Sequence, residues 1–72
     1  MSNKLPSLTC KEVIKILEKK GFYFSRQSGS HAIYKNKSGR RTTVPIHSGK
    51  IIGKGLLSQI MKDTDISIED LK

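Results

Sequence analysis

Apolar positions fall into two helix-spaced clusters separated by an alternating middle segment broken by turns. Val13, Ile14 and Leu17 form a stripe at helical spacing with Ile16 on its flank. Ahead of them, Thr9-Cys10-Lys11-Glu12 has the spacing of a capping box, and Leu8 and Val13 are placed to form a hydrophobic staple across it. Lys11, Lys15, Lys19 and Lys20 take the solvent side, and the last two suit the negative end of the helix dipole. Gly21 is a natural stop. The period then changes. Phe22-Tyr23-Phe24-Ser25-Arg26 predicts a first strand, Ser28-Gly29 a turn, Ser30 to Lys35 a second strand. Asn36-Lys37-Ser38-Gly39 reads as a hairpin loop, and Arg40 to Ile46 as a third strand whose Pro45 marks a strand end or an unpaired edge position.

After a loop opening at Ser48-Gly49-Lys50, Gly53-Lys54-Gly55 leads into a second helix with Leu56, Leu57, Ile60 and Met61 on its apolar face. Thr64-Asp65 ends it, and Ser67-Ile68-Glu69-Asp70 repeats a Ser-x-x-acid cap for a terminal turn. Residues 1–6 read as a short polar lead-in, and no repeat or linker interrupts the rest. The expected fold is a two-layer α+β domain of order α-β-β-β-α. A three-stranded antiparallel sheet carries both helices on one face, and a single domain spans 1–72.

Size and charge narrow the function. Seventy-two residues lie near the lower limit for a core without staples, and one cysteine, Cys10, permits neither an intrachain disulfide nor a structural zinc set. Cys10 reads as a small semi-buried residue in the first helical turn. No apolar run suggests a signal peptide or membrane span, so a cytoplasmic protein with no membrane association is expected. The formal charge of +8 is large for this length and points to a polyphosphate partner, nucleic acid above all.

The candidate chemistry lies in two histidines. Cleaving RNA without a metal needs a base for the 2′-hydroxyl, an acid for the departing 5′-oxygen, and positive charge for the phosphorane between them. Imidazole suits the proton transfers. His31 follows the Gly29-Ser30 turn at the head of a strand, and His47 follows the third strand. The carboxylates are few and scattered, with none between Phe22 and Ile46, so no two-metal site and no cofactor is implied. Alternation sets His31, Ile33 and Lys35 on one face and Ser30, Ala32 and Tyr34 on the other. Were the first face the packed one, His31 would be a partly buried strand-end histidine. His47 has a similar bland reading, as a strand-end cap before a glycine loop. Free amides at Gly53-Lys54-Gly55 offer a phosphate seat, although loop flexibility alone accounts for the glycines equally well. Lys50, Lys54, Arg40 and Arg41 are the cations expected along a phosphate backbone, with Lys37 joining from the hairpin tip. Tyr23 and Tyr34 read as packing residues, because no interleaved basic-aromatic pattern supports base stacking.

In order, Lys20-Gly21-Phe22, Gly29-Ser30-His31, Thr43-Val44-Pro45-Ile46-His47-Ser48-Gly49-Lys50 and Lys54-Gly55-Leu56-Leu57 with Ile60 resemble the HicA family of small toxin ribonucleases. The resemblance covers nearly the whole chain. It departs at Ile51-Ile52-Gly53, where a more polar approach to the helix is expected. It implies a double-stranded-RNA-binding-domain-like fold, cleavage of mRNA, and a cognate HicB antitoxin that covers the active site. It also implies that His31 is the catalytic residue; on the reading of the turn, Gly29 and Ser30 would shape the backbone that presents it. No catalytic role carries over to His47, which stays open as a second site residue beside a lysine or water. The rival readings are a non-catalytic RNA-binding module and a DNA-binding repressor. The latter suffers from the strands that separate the two long helices.

Overall fold

The computed structural model describes residues 5–47 and 49–71; the start of the lead-in and Ser48 lie outside them. Helix α1 spans Cys10–Lys19, strands β1 Tyr23–Ser28, β2 His31–Lys35 and β3 Arg41–Pro45 follow, and α2 spans Lys54–Thr64 before a 3-10 turn at Ile68–Leu71. The sheet is antiparallel in the order β1-β2-β3. This is the α+β arrangement expected from the sequence.

Helix α1 begins where its capping box dictates. The Glu12 amide donates to Thr9 Oγ1 at 3.3 Å, and the Thr9 amide donates to Glu12 Oε1 at 2.9 Å. Leu8 and Val13 are both buried, as the staple requires. At the other end, Gly21 takes φ +90°, the Gly21 amide donates to Glu18 O at 3.1 Å, and the Phe22 amide donates to Leu17 O at 2.9 Å. That pair of bonds is a Schellman closure, with Phe22 and Leu17 both buried in the core beneath it. Phe22 is therefore a plug for the helix end, and the first strand begins one residue later than its aromatic run suggested.

Burial alternates cleanly along β2 and β3. Ala32, Tyr34, Thr42 and Val44 are buried beneath the helices, while His31, Lys35, Arg41 and Thr43 face outward and Ile33 is half-buried. Leu17, Leu57 and Val44 are the fully buried side chains at the centre, and truncating one such leucine costs about 2–5 kcal/mol. Leu57 and Ile60 supply the packed face of α2, joined by buried Thr64, whose hydroxyl donates to Ile60 O at 2.7 Å. Leu56, expected on that face, is exposed. It lies one position, about 100° around the helix, from Leu57.

Strand β1 differs from its sequence reading in two ways. It runs on to Ser28, because the turn is made by Gly29 and Ser30 rather than Ser28 and Gly29. It also carries a bulge at Ser25: Phe24 pairs with Tyr34, but Arg26 pairs with Ile33. Phe24 meets Tyr34 edge-on at 5.9 Å between ring centroids. Tyr34 is the packing residue expected, and burial raises its phenol pKa above the ordinary 10.0. Tyr23 is 52% exposed and does not belong to the core. It sits on the outward face opposite Lys35.

Candidate active site at the end of the sheet

The Gly29-Ser30 loop is as short as a hairpin allows. Gly29, its first central residue, has φ +59°, the position at which a two-residue hairpin loop calls for glycine. Gln27 Nε2 donates to Gly29 O at 2.9 Å from the preceding strand. The Ile46 amide donates to Ser30 O at 2.6 Å from the other side. Both flanks of His31 are thus tied down, and its imidazole is exposed on the outward face, with Ser28 and Pro45 as its cross-strand neighbours. The buried strand-end reading of His31 does not hold, since the face that packs on the helices is that of Ala32 and Tyr34.

His47 is exposed two residues past Pro45. Its carbonyl accepts from the Lys50 amide at 3.1 Å and faces the Cys10 thiol at 3.8 Å. Cys10 is buried and unpaired, so the sequence reading of a small packing residue stands, with a contact to the His47 backbone that the sequence did not indicate. Just beyond, Thr9 and Ile51 form an isolated bridge, and the Ile52 amide donates to Leu8 O at 2.7 Å. This clasp brings the N-termini of α1 and α2 together. A cleft of about 150 Å³ opens between them, lined by Cys10, Pro45, His47, Lys50, Gly53 and Leu56 among others.

Gly53 is the N-cap of α2 and provides no side-chain bond to the first-turn amides. The first turn holds no acid and opens with exposed Lys54. Both facts run against the usual electrostatic preference of a helix start, where a negative charge is stabilising by about 0.3–1 kcal/mol. The positive end of α2 therefore stays unneutralised next to the cleft, with exposed Lys50 close in sequence and lining it.

The remaining cations lie elsewhere. Lys37 sits in the β2–β3 hairpin loop, and Arg41 pairs with Lys35, four residues along β2 from His31. That is roughly 13 Å at strand spacing. Arg40 is engaged structurally: its Nη1 donates to Asp63 O at 3.2 Å, at the C-terminal end of α2. Thr42 and Gln59 meanwhile donate to the Asp63 carboxylate at 3.0 and 2.9 Å. Gly29, Ser30, His31, His47, Lys50 and Lys54 thus gather around one end of the sheet, and Lys37, Arg40 and Arg41 around the other.

These features define a small basic α+β domain with a solvent-facing histidine fixed at the end of its sheet. From residue 10 to residue 66 the sequence matches the family described as the HicA toxin of bacterial toxin-antitoxin systems, and the chain belongs to that family. It is thus a toxin of the toxin-antitoxin kind, with an antitoxin as counterpart. No curated protein matches the sequence. Among the described residues no helix is long and apolar enough to cross a membrane.

Proposed function

We propose that this toxin is a metal-independent endoribonuclease acting on mRNA in the cytoplasm, that 1–72 acts as one toxin domain, and that a HicB-type antitoxin neutralises it. The observation that carries the reading is His31: an exposed imidazole clamped by backbone bonds on both sides of its turn. A general acid or base must meet its proton in a narrow range of geometry, and a fixed backbone holds the ring to that range. The surroundings suit a phosphodiester. No carboxylate side chain occurs between Glu18 and Asp63, so the strands and the His31 and His47 loops carry no anion of their own to repel a polyanion.

In the reaction, the 2′-oxygen loses its proton to a base and attacks phosphorus. The 5′-oxygen leaves with a proton from an acid, giving a 2′,3′-cyclic phosphate and a 5′-hydroxyl. His31 performs one of these transfers. Lys50, Lys54 and the first amides of α2 stabilise phosphate charge. Gly29 and Ser30 position the ring. An acidic antitoxin would be drawn to the same surface, since complementary charge speeds capture.

The test is cleavage of RNA by wild type and by His31→Ala. His31 is exposed, so the variant is expected to fold normally and to lose activity by at least about 100-fold. A folded His31→Ala protein that cuts at the wild-type rate overturns the assignment, and a wild type that shifts RNA in a gel without cutting it is a binding module instead. Loss of cutting in EDTA, restored by Mg²⁺, refutes the metal-free mechanism.

A further inference from the structure

The outward face of the sheet has an order that no stretch of the sequence displays. Cross-strand pairing arranges it in three rows: Ser28, His31 and Pro45 at the turn end; Arg26, Ile33 and Thr43 in the middle; Tyr23, Lys35 and Arg41 at the far end. The bulge at Ser25 makes this possible, because it brings Arg26 onto the same side as Tyr23, three residues away. Arg26, Lys35 and Arg41 are all exposed, as is Tyr23. The helices cover the opposite face, and all six carboxylate side chains (Glu12, Glu18, Asp63, Asp65, Glu69 and Asp70) belong to α1, to α2 and its C-cap, or to the closing turn. Cations therefore stand alone on one face of the sheet, with one large aromatic ring among them.

From this we infer that the outward sheet face is a track for single-stranded RNA. Tyr23 stacks on a base, and Arg26, Lys35 and Arg41 hold the flanking phosphates of a strand that ends at His31. The inference rests on the ribonuclease reading and specifies its substrate. A duplex hides its base faces inside its own stack and presents phosphates and 2′-hydroxyls, which would leave Tyr23 without a partner. An unpaired strand offers π-faces to a ring and phosphates to cations, the pairing used by sheet surfaces that bind such strands. The distance fits as well. From the Tyr23 row to the His31 row the face is roughly 13 Å long, space for about two or three nucleotides. Ile33, half-buried at the centre, gives the face an apolar floor beneath the sugar and base edges.

The decisive measurement is binding of a short labelled RNA, single-stranded and as a blunt duplex, to full-length His31→Ala protein, which keeps the RNA intact. The single strand is expected to bind at least about 10-fold tighter than the duplex. Adding Tyr23→Ala should weaken single-strand binding by about 5- to 100-fold, while Tyr23→Phe, which keeps the ring, should retain most of it. Arg26→Gln and Arg41→Gln should each flatten the salt dependence of binding by about 0.7 in slope. All these side chains are exposed, so thermal melting serves as a check that the fold persists. Equal affinity for duplex, or undiminished affinity in Tyr23→Ala, overturns the track. A Tyr23→Ala protein that loses only its acidic antitoxin also overturns it, and makes the face a protein dock. If wild type cuts RNA while every sheet-face variant binds as tightly as its His31→Ala parent, the track falls and the ribonuclease reading stands. If no RNA is bound or cut at all, both fall.

Discussion

The Ile46 amide donates to the carbonyl of Ser30 at 2.6 Å, one pair beyond the His31–Pro45 pair. Bonded and non-bonded pairs alternate in an antiparallel ladder, so the proline occupies a pair that exchanges no bonds across β2. Its missing N–H costs nothing there, because that position points to the free edge of β3. The side chains of a non-bonded pair also approach most closely, which puts the rigid Pro45 ring beside His31.

Gly29 supports this arrangement from the other flank. Its φ of +59° is strained for any residue with a Cβ, although a methyl there would meet no atom within 4 Å. Gly29→Ala is therefore expected to cost about 1–2 kcal/mol of stability through backbone strain alone. RNA cleavage, measured at a temperature where the variant stays folded, should fall with it, because the turn that aims His31 must shift. A variant with unchanged urea midpoint would show that the turn is not the constraint on His31.

Lys54 sets stability against function. Lys54→Glu removes a cation from the positive end of α2 and adds the anion that a helix start favours, a gain of about 1 kcal/mol. For a chain of this size that raises Tm by roughly 4–8 °C. The same change should weaken RNA binding, since a phosphate contact becomes a repulsion. A rise in Tm with unchanged affinity would remove Lys54 from the RNA surface.

The fold was legible because its signals are local. The capping box at Thr9, the stop at Gly21 and the alternation from Ala32 to Val44 each lie within a few residues, and each appears in the structure. His31 was legible as a residue beside a turn, but its exposure was not, since alternation defines two faces without saying which one the helices cover. The Tyr23 surface was hidden for a different reason. Strict alternation sets Tyr23 and Arg26 on opposite faces, and only the bulge at Ser25 unites them. The basic-aromatic interleaving then runs across strands, from Tyr23 to Lys35 to Arg41, where no linear pattern can display it. Arg40 shows the converse: its charge suggested a phosphate, whereas its reach to Asp63 O makes it a clasp on α2.

The Lys20–Asp70 ion pair, 2.7 Å long, joins the end of α1 to the closing turn and makes stability depend on acid. The Lys20 hydrogen bond, aided by the Ser67 amide, holds the Asp70 carboxyl below the ordinary aspartate pKa. A carboxylate lowered in this way stabilises the fold above its unfolded pKa of about 3.9, and the contribution disappears as pH falls through the lower folded value. In urea titrations the gap between wild type and Asp70→Asn should be constant from neutrality to about pH 5 and close below about pH 4. A gap that persists at the lowest pH would mean that Asp70 acts through shape rather than charge.

His47 is the candidate for the second proton. His47 follows Pro45, the cross-strand partner of His31, by two residues and lines the cleft at the same end of the sheet. Two imidazoles at one end of the sheet are able to serve one phosphate, one at the 2′-oxygen and the other at the 5′-oxygen. With two such groups the pH profile of kcat/KM is bell-shaped, and removing either group removes one limb. His47→Gln should therefore lower cleavage by about 100-fold and leave a one-limbed profile. An RNA whose 5′-bridging oxygen is replaced by sulfur identifies the acid, because a thiolate departs without protonation. On that substrate either His31→Gln or His47→Gln should regain most of the wild-type rate and the other should not. A His47→Gln enzyme that keeps both limbs, however slow, would assign the second transfer to a lysine or to water.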